Sequence, residues 1–357
     1  MSSNELIQAD GTSISCHVDE IPSWVDDGLS SLYGTLHSSL PFFRVFRSTE
    51  GVSCYAARRD GRPVAILLFT RQGRRLDVLN EMIEIDQVEL HRFANYVFAT
   101  FPAVDLIGFK AVKTAAGRFG FPVQQHHSKG TYVITLPATA EQYTASLGKS
   151  TRAGVRQQTN LVNRTFPTFT THYYMDKDID EEHIKAILKF SEDRIGVQGV
   201  KLAHDLDRIL ALSRVCGYLV VHSIDGRICA GSVNYRVGTS YFGDVTGYDM
   251  QYERYGLGKI CVHQTICGSI ERGGTKFYLG GGDFDFKQRF LGVALDMDEL
   301  RIYRSHLKML VNLDRVAQVL VDNGIRSLKK LLHRHKQKLL GRLAFKFFYA
   351  LKNRAAN

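Results

Sequence analysis

The sequence Tyr252-Glu253-Arg254-Tyr255-Gly256-Leu257-Gly258-Lys259 joins a strand-like run to a helix-like run. The run before it, residues 238–245, is rich in glycine and aromatic residues, and the run after it continues to about Arg272. Glycine lets the backbone approach a bound group closely, and the free N–H groups and dipole at a helix N-terminus favour an anion. We therefore predict a phosphate-binding turn formed by Gly256, Leu257, Gly258 and Lys259.

The composition of the chain is that of an ordinary globular protein. It has 357 residues, of which 44% are hydrophobic and 23% charged, which predicts two domains. The net charge of +10 equals the ten Lys and Arg residues of 325–357, a stretch with no Asp or Glu. Residues 1–324 are therefore neutral overall, which argues against a general nucleic-acid-binding surface.

Several functional classes lack their sequence signals in this chain. No run of 18 uncharged apolar residues occurs, and the N-terminus lacks the basic-then-apolar order of a signal peptide, so we expect a cytoplasmic protein. The six cysteines form no C-x-x-C pair and are predicted to be reduced, structural thiols. The histidines show no metal-binding spacing, and a Gly-x-Ser-x-Gly elbow is absent, which disfavours a metal site and a serine hydrolase.

The order of elements repeats along the chain. Two apolar strands flank Asp60-Gly61-Arg62, and two more flank Asp225-Gly226-Arg227, 165 residues later. A third strand, a helix and a further strand follow in both places, which predicts a tandem duplication of one α/β unit. The first copy has His91-Arg92-Phe93 where the second has its glycine turn. Only the second copy is therefore predicted to bind a phosphate, and the first to be a structural or substrate-side partner.

We divide the chain accordingly into four parts. Residues 1–20 are predicted to be loose, 21–137 to form the first unit, 138–312 the second unit with the cofactor site, and 313–357 a basic helical tail.

A basic stripe lies between the two copies. Lys149, Arg152 and Arg156 recur at positions i, i+3 and i+7, which places three cations on one helix face. Two interpretations stay open: a solvated basic face, and a clamp for a phosphate or carboxylate of the substrate.

The order strand, Asp-Gly turn, strand, strand, Gly-x-Gly, helix, strand resembles the GNAT superfamily of acyl-CoA N-acyltransferases. Two such units in tandem, the linker 146–156 and the string from Gly280 to Phe290 resemble the CelD/BcsL-like group associated with cellulose biosynthesis. The Fem-type peptidoglycan aminoacyltransferases share this tandem plan. The resemblance implies a mixed α/β sheet in each unit and acetyl-CoA or another acyl-CoA as co-substrate, with no metal.

The resemblance also implies roles for particular residues. Asp244 is the preferred catalytic base, because Asp244, Thr246 and Tyr248 alternate along the fourth strand and should share one face. Its alternative roles are a partner for Arg236 and a turn residue.

Asp283 is the second carboxylate candidate, and Lys287 could contact a substrate anion or the cofactor. Tyr278 is the candidate acid for the leaving thiolate, with Tyr248 and Tyr255 as alternatives.

One residue departs from the superfamily pattern. Glu253 stands where the superfamily usually has Gln or Arg, three residues before the first glycine. A carboxylate there would repel a pyrophosphate unless it points away or pairs with Arg254 or Lys259.

The tail predicts a second surface. Its leucine and phenylalanine side chains, such as Leu332, Leu339 and Phe347, fall on one helical stripe, and Lys and Arg fill much of the remainder. This pattern is typical of a helix at an anionic membrane surface. Docking of residues 325–357 on the body of the protein, or on a partner, is the alternative.

We therefore expect an acyl-CoA-dependent N-acyltransferase that acts on an amine of a sugar or surface-polysaccharide precursor. It would be cytoplasmic, with peripheral attachment to the inner face of the membrane. One alternative is a Fem-type transferase that uses aminoacyl-tRNA. This is the one hypothesis in which a nucleic acid, tRNA, is a partner. The other is a non-catalytic, membrane-associated accessory protein of polysaccharide biosynthesis.

Overall fold

The computed structural model describes residues 6–115, 119–197, 202–282 and 285–311, which form one mixed sheet of 14 strands flanked by helices. The strands are β1 (Leu6–Ile7), β2 (Ser13–His17), β3 (Ser53–Arg59), β4 (Arg62–Gln72), β5 (Arg75–Val78), β6 (Ile83–Glu84), β7 (Leu106–Lys113), β8 (Val123–Thr135), β9 (Thr170–Met175), β10 (Gly217–Ile224), β11 (Arg227–Val237), β12 (Ser240–Tyr248), β13 (Lys276–Tyr278) and β14 (Val293–Tyr303). The helices are α1 (Val25–Leu32), α2 (Leu40–Phe46), α3 (Gln87–Thr100), α4 (Ala140–Ser146), α5 (Lys149–Thr165), α6 (Glu181–Gly196), α7 (Leu206–Cys216), α8 (Leu257–Glu271), α9 (Asp285–Arg289) and α10 (His306–Val311).

The sheet has the same arrangement of strands on either side of its centre. Its order is β1-β2-β3-β4-β5-β7-β14-β8-β13-β12-β11-β10-β9, with β6 beside β7. In the first half β5 runs parallel to β7, and in the second half β12 runs parallel to β13. The other neighbours in the path are antiparallel. The fold therefore consists of two GNAT-like units in a mixed α/β sheet.

The two units exchange their last strands. β8 follows β7 in sequence but pairs with β13 and β14, and β14 follows β13 but pairs with β7 and β8. Each unit thus completes its sheet with a strand from the other.

The two predicted hairpin turns have matching backbone geometry. Asp60 and Gly61 have φ angles of 51° and 74°, and Asp225 and Gly226 have φ angles of 51° and 73°. Positive φ at both central residues is the mark of a type I′ turn, for which Asp-Gly is a preferred sequence. The duplicated strand order is therefore accompanied by a duplicated turn.

Helices cover both faces of the second half of the sheet. Ile184 and Ile187 of α6 pack with Leu212 of α7 on one face, and Ile266 of α8 packs with Tyr241 on the other. α6 approaches the sheet closely at Gly247, where a Cβ atom would lie 2.2 Å from the carbonyl oxygen of Ile187. Only glycine fits at this position without displacing the helix.

Two local predictions need correction. Residues 1–20 were expected to be loose, but Ser13–His17 pair with β3 and Ile14 is fully buried. The near-helical spacing of apolar residues predicts one helix over 23–39, yet α1 stops at Leu32, since Gly34 takes a φ of 54°. α2 then begins after Ser39, whose side chain accepts a hydrogen bond from the N–H of Phe42.

Other expectations concern the whole chain. All six cysteines are free thiols, and five of them are buried, as predicted. Between residues 6 and 311, outside the gaps given above, no helix is long and apolar enough to cross a bilayer. The predicted tail, 313–357, lies outside the described residues.

Candidate active site

The fourth and fifth strands of the second unit separate at Phe242 and Tyr278. β12 and β13 are paired only from Ser240 to Phe242, after which β12 continues to Tyr248 while β13 ends. A Cβ atom at Gly280 would lie 3.7 Å from the carbonyl oxygen of Gly243, so the two chain segments stay close at the start of the opening. Beyond Phe242, the edge of β12 that faces β13 is thus free of strand pairing with it.

A β-bulge places Asp244 at this opening. Val233 pairs with Val245 and Asn234 pairs with Gly243, which leaves Asp244 as the extra residue of β12. The bulge breaks the strict alternation of side chains. The prediction that Asp244 shares a face with Thr246 is therefore wrong: Asp244 bonds to Tyr235, which packs with α6 and α7, whereas Thr246 pairs with Ser232, which bonds to Thr265 of α8.

Asp244 faces a cavity of about 700 Å³. The second unit contributes residues of β11, β12 and α7 and the glycines 280–282. The first unit contributes residues between Thr35 and Phe46, together with Glu81 and Met82. This volume lies in the usual range of small-molecule sites.

The surroundings of Asp244 suit a general base. The hydroxyl of Tyr235 donates a hydrogen bond to Oδ2 of Asp244, at 3.2 Å. The side chain is open to the cavity, but the surrounding protein partly desolvates the carboxyl group, which raises its pKa above the usual value. The Tyr235 hydrogen bond and the charge of His204 lower the pKa and only partly oppose this effect. A carboxylate with a raised pKa accepts a proton more readily near neutral pH. The structure gives Asp244 no ion pair with Arg236, which instead pairs with Asp176.

Tyr278 lines the same cavity as Asp244. Its ring stacks on Phe242 with the ring centres 4.5 Å apart, and burial raises the pKa of its hydroxyl group. The second predicted carboxylate, Asp283, lies outside the described residues.

Lys287 is a buried residue of α9 with backbone partners. Its ammonium group donates to the carbonyl oxygens of Gly280 and Gly281, and its side chain is only 3% exposed. The charge also lies 5.5 Å from the ring of Tyr132. In the structure Lys287 thus holds the glycine-rich strand end that borders the cavity.

The predicted phosphate turn has the backbone that its glycines require. Asp249 caps a 3₁₀ turn from Met250 to Tyr255, Gly256 follows with a φ of 67°, and α8 starts at Leu257. The N–H groups of Leu257 and Gly258 belong to the first helical turn and have no partner inside the helix. Their arrangement fits an anionic group such as a phosphate.

The side chains of this turn differ in their exposure and contacts. Leu257 is fully buried, so only its backbone can reach a ligand. A Cβ atom at Gly258 would lie 3.1 Å from the ring of Tyr248, whereas Lys259 is exposed and lies against Gly154 of α5. Glu253 is also exposed, so water screens its charge.

Gln158 of α5 packs against this turn, and the sequence did not indicate it. Its amide lies over Gly256, where a Cβ atom would come within 2.2 Å of Nε2. Its Oε1 atom is buried without a hydrogen-bond partner. An amide fixed beside a helix N-terminus can donate to a phosphate, so the donor set fits the phosphates of an acyl-CoA.

The three linker cations lie on α5, which packs along α8. Lys149, Arg152 and Arg156 are exposed, and Nη1 of Arg152 donates to the carbonyl oxygen of Ala145 at 2.6 Å. None of the three forms an ion pair with a carboxylate in the part of the chain that the structure describes. They are placed outside the Asp244 cavity.

Comparison with known proteins finds a family similar to the second unit. Residues 150–288 match the family model of the acetyltransferase (GNAT) domain. This part of the chain is similar to GNAT acetyltransferase domains. The match spans the bulge at Asp244, the turn at Gly256 and α8, and it supports an acyltransferase. No group of three or more His, Cys, Asp or Glu side chains suited to a metal ion occurs among the described residues of the chain.

Solved structures are similar to this chain at low sequence identity. A crystal structure of FemX is 12% identical, covers 78% of this chain and 96% of its own, and has a TM-score of 0.56. A conserved protein of unknown function from Bacteroides thetaiotaomicron is 10% identical and covers 81% of this chain and 99% of its own, with a TM-score of 0.48. A tandem GNAT protein from the clavulanic acid biosynthesis pathway is 9% identical and covers 70% and 82%, with a TM-score of 0.34. No curated protein sequence matches this chain.

Proposed function

We propose that the GNAT-like second unit transfers an acyl group from acyl-CoA to a primary amine, with Asp244 as the general base. The observation that carries this proposal is the position of Asp244. It lies on a bulge where β12 and β13 separate, and it has a raised pKa and an open cavity beside it.

The chemistry needs a base, an acid and a site for the cofactor. The amine nitrogen attacks the thioester carbonyl, a C–N bond forms and the C–S bond breaks, which yields an amide and free coenzyme A. Asp244 passes one proton of the ammonium group to solvent before the attack. Tyr278 protonates the departing thiolate and recovers the second proton that the nitrogen releases. Backbone N–H groups on the unpaired edge of β12 are the donors for the oxyanion.

The cofactor proposal extends this site to α8. The backbone of Gly256, Leu257 and Gly258, together with Lys259 and Gln158, would hold the phosphates of acyl-CoA. The acyl group would then reach Asp244 through the gap between β12 and β13. The sugar or surface-polysaccharide acceptor rests on the resemblance to the CelD/BcsL-like group alone.

Acetyl-CoA binding and the variant Asp244→Asn test the proposal. We expect acetyl-CoA to raise the melting temperature of both proteins, and the variant to lose roughly 10²–10⁴-fold in kcat. The raised pKa also has a consequence for stability. The folded state disfavours the ionised carboxylate, so its contribution to stability is lost as pH rises through the folded pKa, and Asn should leave the melting temperature at pH 7 equal or higher.

Two results would contradict this assignment. Absence of any shift of the melting temperature at millimolar acetyl-CoA would rule out coenzyme A as the acyl carrier, and would leave the aminoacyl-tRNA-dependent transferase and the non-catalytic accessory role. An unchanged kcat in Asp244→Asn would remove Asp244 as the base.

The second candidate is a Fem-type transferase that uses aminoacyl-tRNA. A row of exposed cations on α5 favours this candidate: Lys149, Arg152 and Arg156, which lack carboxylate partners within the described chain. The phosphate backbone of a nucleic acid such as tRNA binds rows of Lys and Arg side chains. Transfer of a radiolabelled amino acid from aminoacyl-tRNA, abolished when the three cations are replaced by glutamine, would support it. The same variant should bind acetyl-CoA normally if the first candidate is correct.

A further inference from the structure

The cavity around Asp244 has one wall that comes from the first unit. This wall consists of His37, Phe42 and Phe46 and of the adjacent residues Glu81 and Met82. The catalytic candidates Asp244 and Tyr278 lie on the opposite wall, which the second unit supplies. The first unit thus borders the space that an acceptor must occupy.

Met82, the last residue of the segment 80–82, is held in a backbone conformation that a bulky residue rarely adopts. Met82 has a φ of 61°, and its N–H donates to the carbonyl oxygen of Ala111 at 2.8 Å. Asn80 Oδ1 accepts from the N–H of Leu68 at 2.7 Å, and the hydroxyl of Ser38 donates to the carbonyl oxygen of Glu81 at 2.9 Å. Strain of this kind persists where the surroundings over-determine it, and it clusters at ligand sites.

The carboxylate of Glu81 is tied to the same unit. It forms an ion pair with Arg47, which follows α2. This pair connects the segment 80–82 to the helix that carries Phe42 and Phe46. The wall is therefore one packed structure, and its side chains are positioned before an acceptor arrives.

Aromatic and apolar groups dominate the cavity. Phe42 stacks on Phe46 with ring centres 4.7 Å apart on one side, and Phe242 stacks on Tyr278 on the other. Such faces bind flat or alkyl groups and attract a neighbouring cation.

Carboxylates and histidines are the titratable groups with the strongest polar character in the cavity, and His37 and His204 are the two histidines. Glu81, Asp205 and Asp244 line the cavity, and no Lys or Arg lines it among the residues that the structure describes. Phosphate recognition in proteins depends on Arg, Lys or a helix N-terminus. Glu81 pairs with Arg47 and Asp205 with Arg208. These pairs leave Asp244 as the lining carboxylate that a protonated amine can pair with. A phosphorylated acceptor meets no Lys or Arg among the described lining residues.

We propose that the first unit selects the acceptor, and that Met82 with the Phe42–Phe46 pair forms a specificity wall for a primary amine carried on an aromatic or alkyl body. This inference deepens the proposed function and rests on it for the identity of the reacting group. The same wall discriminates against an amino sugar that carries a nucleoside diphosphate.

Calorimetric measurement of acceptor binding, in the absence of an acyl donor such as acetyl-CoA, tests the specificity wall directly. Tyramine is the arylalkylamine probe, and UDP-glucosamine is the phosphorylated probe. We expect tyramine to bind at least tenfold more tightly than UDP-glucosamine. Met82→Gly removes the thioether from the wall and relieves the positive φ, so it should fold, and we expect it to weaken tyramine binding about fivefold.

A matched control separates the wall from relief of backbone strain. Asp60→Gly relieves a positive φ of 51° in the β3–β4 turn, outside the cavity, and should leave tyramine binding unchanged. Phe46→Leu keeps the wall apolar but removes an aromatic face, and should also weaken binding. In the acylation assay, Met82→Gly should raise the KM for the amine and leave the KM for acetyl-CoA within twofold.

Tyramine binding that weakens in Met82→Gly supports the inference even if acetyl-CoA does not bind. Failure of acetyl-CoA to bind would contradict only the proposed function. Tighter binding of UDP-glucosamine than of tyramine overturns the inference. Equal tyramine affinity in the wild type, Met82→Gly and Phe46→Leu overturns it as well, while acetyl transfer to any other amine would leave the proposed function standing.

Discussion

At the scale of single residues, His222 shows how burial without a charge partner creates pH dependence. It lies in β10, is fully buried, stacks on Phe169, and has Thr171 as the hydrogen-bond partner of Nδ1. Burial lowers the pKa of its imidazole from 6.5 to about 4. The folded protein therefore holds the neutral ring, and protonation favours the unfolded chain.

The stability that depends on neutral His222 should be fully present above pH 6.5 and be lost as pH falls towards 4. We expect the free energy of unfolding to drop by about 2 kcal/mol more between pH 7 and pH 5 in the wild type than in His222→Leu. Urea unfolding at the two pH values measures this difference. His172 is exposed on the neighbouring strand β9, and His172→Leu should reproduce the wild-type pH dependence. An equal drop in all three proteins would rule out His222 as the cause.

At the scale of elements, the close approach of α6 to β12 depends on the absence of a side chain at Gly247. Gly247→Ala would place a Cβ atom 2.2 Å from a carbonyl oxygen of α6, and backbone cannot yield as a flexible side chain can. We expect a loss of about 1–3 kcal/mol in unfolding free energy, measured by urea denaturation. Gly196→Ala lies at the end of the same helix with nothing within 4 Å, and should be neutral or slightly stabilising. Similar stability of the two variants would contradict this account of the packing.

The elements that could be predicted from the sequence are those set by local chemistry. The two Asp-Gly hairpins, α3 and the glycine turn at Gly256 all occur where the sequence indicated them. Each depends on residues within a few positions of one another, such as Asp60 and Gly61. Local preference and final structure agree at these places.

The parts that could not be predicted depend on distant or irregular contacts. Asp244 was singled out, but its face was assigned wrongly, because a bulge has no sequence signal in the alternation of side chains. Tyr235, His204, Glu81 and Gln158 were missed, since each becomes part of a site only through tertiary packing. Spacing along the chain could not place Glu81 opposite Asp244, which lies more than 160 residues later.

At the scale of the whole molecule, the charge is concentrated in one segment. All of the net charge of +10 belongs to residues 325–357, and we propose that this segment attaches the protein to an anionic membrane surface. Replacing Lys336, Lys338 and Arg342 by glutamine should reduce the affinity for phosphatidylserine vesicles by roughly 100-fold, at about 1 kcal/mol per charge. Cosedimentation measures this change, with phosphatidylcholine vesicles as the control. Equal pelleting of wild type and variant would favour docking of the segment on protein instead.

The exchange of last strands imposes an order on synthesis. β7 is complete when residue 113 has been made, but its partner β14 does not exist until residues 293–303 have left the ribosome. Over that interval the nascent chain carries an unpaired edge at β7, and later a second one at β8, and open edges are places where chains associate wrongly. A ribosome that stops before Val293 therefore releases two unfinished units rather than one finished copy. The repeated halves must mature together, late in translation.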